Sequence, residues 1–187
     1  MGATFRSRLP MGSQKSAAME TSESVPHSSS LRLHRLKDAP ATFFVTKTLQ
    51  PKKPVLGKEL RAIVADALAF CVGEERIILR AFVVMPDHWH AAVGLLGQWT
   101  LPRFMHSIMS HVGSKTAGAL RQQGVEWQEG YYDTRIRSLK QLQFVASYIL
   151  QNPVRKRLVA RTEDWDAVSA RFPGLVTDQW PWLLEKD

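Results

Sequence analysis

A single cysteine, Cys71, is all that the 187 residues hold. No intramolecular disulfide can form. That excludes a disulfide-stapled secreted domain and fits a reducing compartment. Cys71 falls on an apolar helical stripe and reads as a core residue. Long hydrophobic runs are missing too, since no stretch approaches the roughly 20 apolar residues of a membrane span. Arg6 and Arg8 are followed by no apolar segment, so no secretory signal is expected and the cytoplasm is the default location. Acidic residues are the minority: 17 Asp and Glu against 25 Lys and Arg, a net charge of +8 with a pI of about 9.9. A surplus of that sign draws polyanions, nucleic acid foremost.

What is present suffices for one domain with length to spare. The hydrophobic fraction of 44% can build a core. Residues 1–38 are rich in serine, poor in apolar residues and without a period, so they are expected to stay unstructured. Residues 39–158 read as the folded domain. Residues 159–187, with Trp165, Trp180 and Trp182, read as a tail that packs on it.

Within the domain, Ala41 to Leu49 is rich in β-formers and reads as a strand. Gly57 to Val72 has apolar residues at helical intervals, with Gly73 as the stop. Arg76 to Met85 is a strand so apolar that both of its faces should be covered. Pro86-Asp87 turns the chain into a third strand, His88 to Leu96. Pro102 to about Arg121 reads as a helix. Val125 to Arg137 should hold a fourth strand with Tyr131, Tyr132 and Ile136. Ser138 and Gln141 make a capping-box pattern that opens a last helix. Asn152, pushed from the α region by Pro153, should end that helix. The order β-α-β-β-α-β-α predicts an α+β fold: an antiparallel sheet of four to five strands, with helices packed on one face.

Two elements carry chemistry. In His88-Trp89-His90 the strand alternation sends both imidazoles to one face and Trp89 into the core. Such a pair can chelate a divalent metal. Taken alone, it reads more readily as two hydrogen-bonded surface histidines. Tyr148 and Asn152 are four apart and share one helical face, placing a hydroxyl one turn from an amide oxygen. Alone, they read as a core tyrosine and a helix stop.

Taken together, Val83-Val84-Met85-Pro86-Asp87-His88-Trp89-His90, the later Tyr132-Asp133-Thr134-Arg135-Ile136-Arg137 and Tyr148-x-x-x-Asn152-Pro153-Val154 resemble the REP-associated tyrosine transposases. These are single-tyrosine members of the HUH superfamily with an insertion-sequence-200-like domain. The likeness spans roughly residues 40–158. Asp87 stands where related sequences often have Asn or Glu, and the serine-rich extension is not part of the pattern. The resemblance implies a ferredoxin-like HUH fold. It also implies Tyr148 as nucleophile and His88, His90 and Asn152 as ligands of Mg²⁺ or Mn²⁺. The implied partner is single-stranded or hairpin DNA, handled by a monomer or a homodimer.

The chemistry suits these groups. A phosphodiester repels nucleophiles, and a divalent cation on its oxygens neutralises charge and orients the scissile group. A phenol is a poor nucleophile until a neighbouring cation helps the phenolate form. In-line attack would leave a covalent phosphotyrosine and a free hydroxyl, and the resemblance implies that the bond is to the 5′-phosphate. Arg103, Lys115 and Arg121, Arg135 and Arg137, and Arg155, Lys156 and Arg157 are candidates for phosphate contacts. Tyr131 and Trp127 are candidates for either base stacking or core packing. Two other classes compete: an idle relative that only binds structured nucleic acid, and a His-x-His oxygenase of the cupin type. The latter needs an all-β barrel, which the helices at 57–72 and 138–151 oppose.

Overall fold

Alternating β-branched and aromatic residues make Thr42–Thr48 the first strand, β1. The computed structural model describes residues 41–51, 55–116, 118–172 and 174–176. The expectations for the serine-rich segment and for Trp180 and Trp182 lie outside the described residues. After β1 come helix α1 (Lys58–Gly73), strands β2 (Ile77–Val84) and β3 (His88–Leu95), helix α2 (Leu101–Thr116), a short helix α3 (Ala119–Gln122), strand β4 (Tyr132–Ile136) and helix α4 (Leu139–Arg155). Two 3₁₀ turns, Thr162–Asp164 and Ser169–Arg171, follow. No helix among the described residues is long and apolar enough to cross a membrane.

The four strands form one antiparallel sheet in the order β2-β3-β1-β4. The α+β class is as expected, but the helices do not share one face. Leu60, Val64, Leu68 and Cys71 of α1, with Phe104, Ile108 and Val112 of α2, pack on Val45, Leu79, Phe82, Val84, Trp89 and Val93. Leu142, Val145, Ala146 and Ile149 of α4 pack on the opposite side, against Ala81, Val83, Ala92 and Ile136. The reason lies in β2 and β3: both are apolar on each side, so each side needs a partner. A register shift between Leu79 and Ala81 exchanges the faces midway along β2. Leu79 therefore joins one cluster and Ala81 the other.

Three boundaries differ from the sequence reading. Gly73 lies inside α1, and the chain turns at Glu75, which takes a left-handed conformation with φ 51°. The second helix stops at Thr116, and Gly118 with φ 87° separates it from α3. Helix α4 continues past Asn152 through Pro153 to Arg155. Proline there forfeits one N–H near the end of the helix. Burial of Asn152 and Pro153, together with Lys156 N donating to Asn152 O at 3.0 Å, carries the last turn. The expected cap holds, with Ser138 accepting from Gln141 N at 3.1 Å.

The segment after α4 is tied down by its own contacts. Trp165 Nε1 donates to Val84 O at 2.9 Å, and Arg61 stacks over the Trp165 ring at 4.6 Å. The Arg61 guanidinium also bridges both carboxylate oxygens of Asp166, at 3.1 and 2.7 Å. Val84 N donates to Ala167 O, and Val83 forms a bridge with Val168. This short stretch therefore runs along the outer margin of β2.

Candidate active site

The hairpin between β2 and β3 sets the first part of the site. Met85 N donates to His88 O at 2.8 Å across Pro86-Asp87, closing a tight turn. The turn's carbonyls are held from outside: Asp87 O accepts from Leu49 N and Pro86 O from Leu56 N. His88 thus starts β3 from an anchored position. Register then builds a lateral row across all four strands: Val83, His90, Thr46 and Tyr132. Trp89, between the histidines, is fully buried on the other face, as the alternation predicts.

Each imidazole is gripped by its Nδ1. Thr46 Oγ1 lies 2.7 Å from Nδ1 of His90, and Asp87 Oδ1 lies 2.6 Å from Nδ1 of His88. The rings meet edge to face with centroids 4.5 Å apart. The Nε2 atom of His90 is buried and has no hydrogen-bond partner. Burial, reinforced by the neighbouring His88, pushes the His90 pKa down to about 3, so this ring is neutral near pH 7. A neutral imidazole with an idle, buried Nε2 is a donor waiting for an electrophile or a proton.

Helix α4 brings the phenol. The Tyr148 ring lies 5.4 Å from that of His90 and meets Phe44 edge-on at 6.0 Å. Phe44 also packs on His90 at 5.2 Å, so one aromatic side chain of β1 braces both groups. Arg155 places its guanidinium over the Tyr148 ring at 5.1 Å. Asn152 follows Tyr148 by one turn and is buried, 4% exposed.

Among the described residues no cluster of three or more His, Cys, Asp or Glu side chains is placed to hold a metal ion. A cation here would therefore need a donor of another type beside the two imidazoles. The amide of Asn152, one helical turn from Tyr148, is of that type. The unpartnered Nε2 of His90 fits such a use. The mixed nitrogen and oxygen set suits Mn²⁺ readily and Mg²⁺ less well.

Comparison with known proteins settles the family. The model of the family "Transposase IS200 like" matches residues 43–152, more than half of the chain. The chain belongs to the IS200-like transposase family. The fold of this transposase resembles that of a REP-associated tyrosine transposase solved with a REP hairpin. That match has TM-score 0.60 and 21% identity, covering 80% of this chain and 87% of the other. A candidate transposase from Deinococcus radiodurans R1 is more distant, with TM-score 0.44 and 18% identity, covering 62% and 89%. No curated protein matches the chain significantly.

In this transposase the structure gathers His88, His90, Tyr148 and Arg155, with Asn152 on the next turn. It does not gather all the other basic candidates. Arg103 and Lys115 sit on α2, across the sheet from the histidines, where Arg103 stacks on Trp99 at 4.4 Å. Arg135 alternates with Thr134 on β4 and so points away from the His90 side. Arg137 is exposed just before α4, and Lys156 is exposed at its C-cap. Arg121 and Arg157 lie beyond α2 and just after α4. Tyr131 and Trp127 pack against the α1–α2 core rather than beside Tyr148. Sequence reasoning missed Thr46 and Phe44. The β1 alternation that pairs them with Thr42 and Thr48 was their only signal, and nothing in it gave the register against β3.

Proposed function

We propose that this transposase cleaves and rejoins single-stranded DNA through a covalent phosphotyrosine on Tyr148. The observation that carries the reading is the meeting of Tyr148 with His90 inside one chain, beside a buried imidazole nitrogen that has no partner. His88, His90 and Asn152 would hold a divalent cation, with Thr46 and Asp87 fixing the two rings by their Nδ1 atoms. When bound, the cation supplies charge neutralisation to the phosphate oxygens.

The chain's own groups do the rest. Tyr148 Oη attacks phosphorus and loses its proton to solvent. A new phosphotyrosine ester forms as one P–O bond of the strand breaks, and the departing oxygen takes a proton to become a hydroxyl. A hydroxyl of another strand end can reverse the step, so joining needs no nucleotide cofactor. Arg155, over the phenol ring, brings positive charge to the place where a phosphate must sit. The family resemblance implies that the tyrosine takes the 5′-phosphate. Because His90 and Tyr148 meet within one chain, we infer that a monomer suffices.

The structurally similar REP-associated transposase was solved with a REP hairpin, and we take hairpin-forming repeat DNA as the substrate class here. The test is incubation of the full chain with Mn²⁺ and a hairpin oligonucleotide bearing an unpaired flank. A band of protein covalently joined to DNA is expected on a denaturing gel, and Tyr148→Phe should remove it. An undiminished band in that variant would take Tyr148 out of the mechanism. Salt-sensitive binding with no adduct under any divalent metal would favour the idle binding relative instead.

A further inference from the structure

Tyr148 stands at the rim of the buried stripe of α4. At about 100° per residue it lies one step round the helix from Ile149. Ile149 is fully buried, whereas Tyr148 is half-buried. The sheet residues Ala81 and Ala92 beneath the helix are small and let it sit low. They are too short to reach a phenol at its flank. A side chain so placed has staggered alternatives at χ1, and each would carry the ring elsewhere.

Phe44 supplies lateral support at that rim. It is the one large side chain that β1 turns to this face, where its companions are Thr42, Thr46 and Thr48. Its partners directly across the sheet, Ala92 on β3 and Thr134 on β4, are small. The rings of Phe44, His90 and Tyr148 form a closed triangle. Their centroids are 5.2 Å apart for Phe44 and His90, 6.0 Å for Phe44 and Tyr148, and 5.4 Å for His90 and Tyr148. The planes of Phe44 and Tyr148 meet at 86°. Edge-to-face contact has a preferred geometry that an aliphatic side chain of similar volume does not reproduce.

We infer that Phe44 is a positioning residue for the nucleophile: it pins the Tyr148 ring beside the imidazoles of its own chain. This rests on the strand-transfer reading above. Phe44 has no metal donor and no proton to move, so its whole effect is geometric. It acts on the rate of attack by Tyr148 Oη, while the grip of Thr46 and Asp87 on the two imidazoles is left intact. Geometry of this kind matters because a misplacement of about 1 Å can cost on the order of a hundredfold in rate.

The first test follows position without chemistry. The full chain is labelled with 3-fluorotyrosine, and the Tyr148 fluorine signal is the one missing from Tyr148→Phe. In EDTA, Phe44→Leu should move that signal and leave that of Tyr131, which packs on the other core, in place. The second test uses unlabelled protein, Mn²⁺ and the hairpin oligonucleotide. At saturating Mn²⁺ the leucine variant should form the adduct about tenfold or more slowly, with an unchanged half-saturating Mn²⁺ concentration. Phe44→Tyr keeps the ring and should restore the rate. Phe43→Leu makes the same change on the face of β1 that meets α1 and α2, and should lower stability without slowing adduct formation per folded molecule. A leucine variant with wild-type signal and rate would overturn the positioning role. So would equal slowing in Phe43→Leu, no rescue by Phe44→Tyr, or a shifted Mn²⁺ requirement with an unchanged saturated rate, which would put the effect at His90. The two claims part at the wild type. An adduct that forms equally well in Phe44→Leu sinks the positioning role alone, whereas a wild type that forms no adduct sinks the strand-transfer reading and the role with it.

Discussion

Thr46 Oγ1 on β1 lies 2.7 Å from Nδ1 of His90 on β3, which leaves Nε2 as the ring nitrogen without a partner. In the tautomer whose Nδ1–H donates to the threonine oxygen, Nε2 keeps a lone pair at a buried position without a partner. Thr46→Val keeps the shape and removes the acceptor. We expect the Mn²⁺ concentration needed for adduct formation to rise by about ten- to a hundredfold. Thr46→Ser should restore it. A valine variant with an unaltered Mn²⁺ titration would show that the contact is ornamental.

Asp87 serves His88 in the same way, but from a more exposed position, with its side chain 68% accessible. Asparagine preserves an oxygen at that place. Asp87→Asn should therefore retain most adduct formation, whereas Asp87→Ala should lose about tenfold. Equal losses in the two variants would mean that the charge, rather than the hydrogen bond, is what His88 needs.

Chelation should abolish the covalent adduct without unfolding the chain, because both hydrophobic clusters are built from apolar side chains that include none of the proposed ligands. Mn²⁺ should restore the adduct and raise the melting temperature modestly, by preferential binding to the folded state. Adduct formation that persists in EDTA would remove the cation from the chemistry.

Lys47 ties the approach to β4 by donating to the carbonyls of Gln128 and, at 2.6 Å, Gly130. Burial lowers its pKa below the ordinary lysine value, and the charge of Glu129 opposes that shift. The unfolded chain then binds this proton more readily than the folded one. The resulting penalty is complete below the folded pKa and is relieved as pH climbs toward 10.5. Lys47→Met removes the two hydrogen bonds and should cost about 1 to 3 kcal/mol at pH 7. In urea titrations the wild type should gain stability relative to the variant as pH rises into that alkaline window. A parallel pH dependence in both proteins would contradict the assignment.

Trp165 is 8% exposed and is held by Val84 O and Arg61. Trp165→Ala should destabilise the fold by about 3 to 5 kcal/mol. Trp165→Phe should lose less, chiefly the bond to Val84 O. The folded fraction of either variant should still form the adduct in Mn²⁺. Loss of the adduct in a fully folded phenylalanine variant would implicate the C-terminal segment in the chemistry.

The layout of the candidate site was more legible in the sequence than the surface around it. Alternation fixes His88 and His90 on one side and Trp89 on the other, and helical spacing aligns Tyr148 with Asn152. Both are local rules that tertiary structure did not override. Register is not local. Tyr131 and Tyr132 are adjacent, and only the pairing of Thr46 with Tyr132 tells which one faces the histidines. Arg103 and Lys115 looked like phosphate ligands because charge has no address in a sequence. Packing puts their helix across the sheet. The extension of α4 past Asn152 was hidden for a similar reason, since the bias against helix before proline yields to burial.

The stretch Ala167–Ser169, seated along β2, has a consequence for assembly. At Val83 and Val84 the border of β2 is already occupied by the chain's own backbone. Among the described residues β4 pairs with β1 alone, so its outer border offers an added strand a place with no such cover. That border carries Tyr132, which shares a lateral row with Thr46 and His90, so a strand docked there would lengthen the row that holds the candidate site.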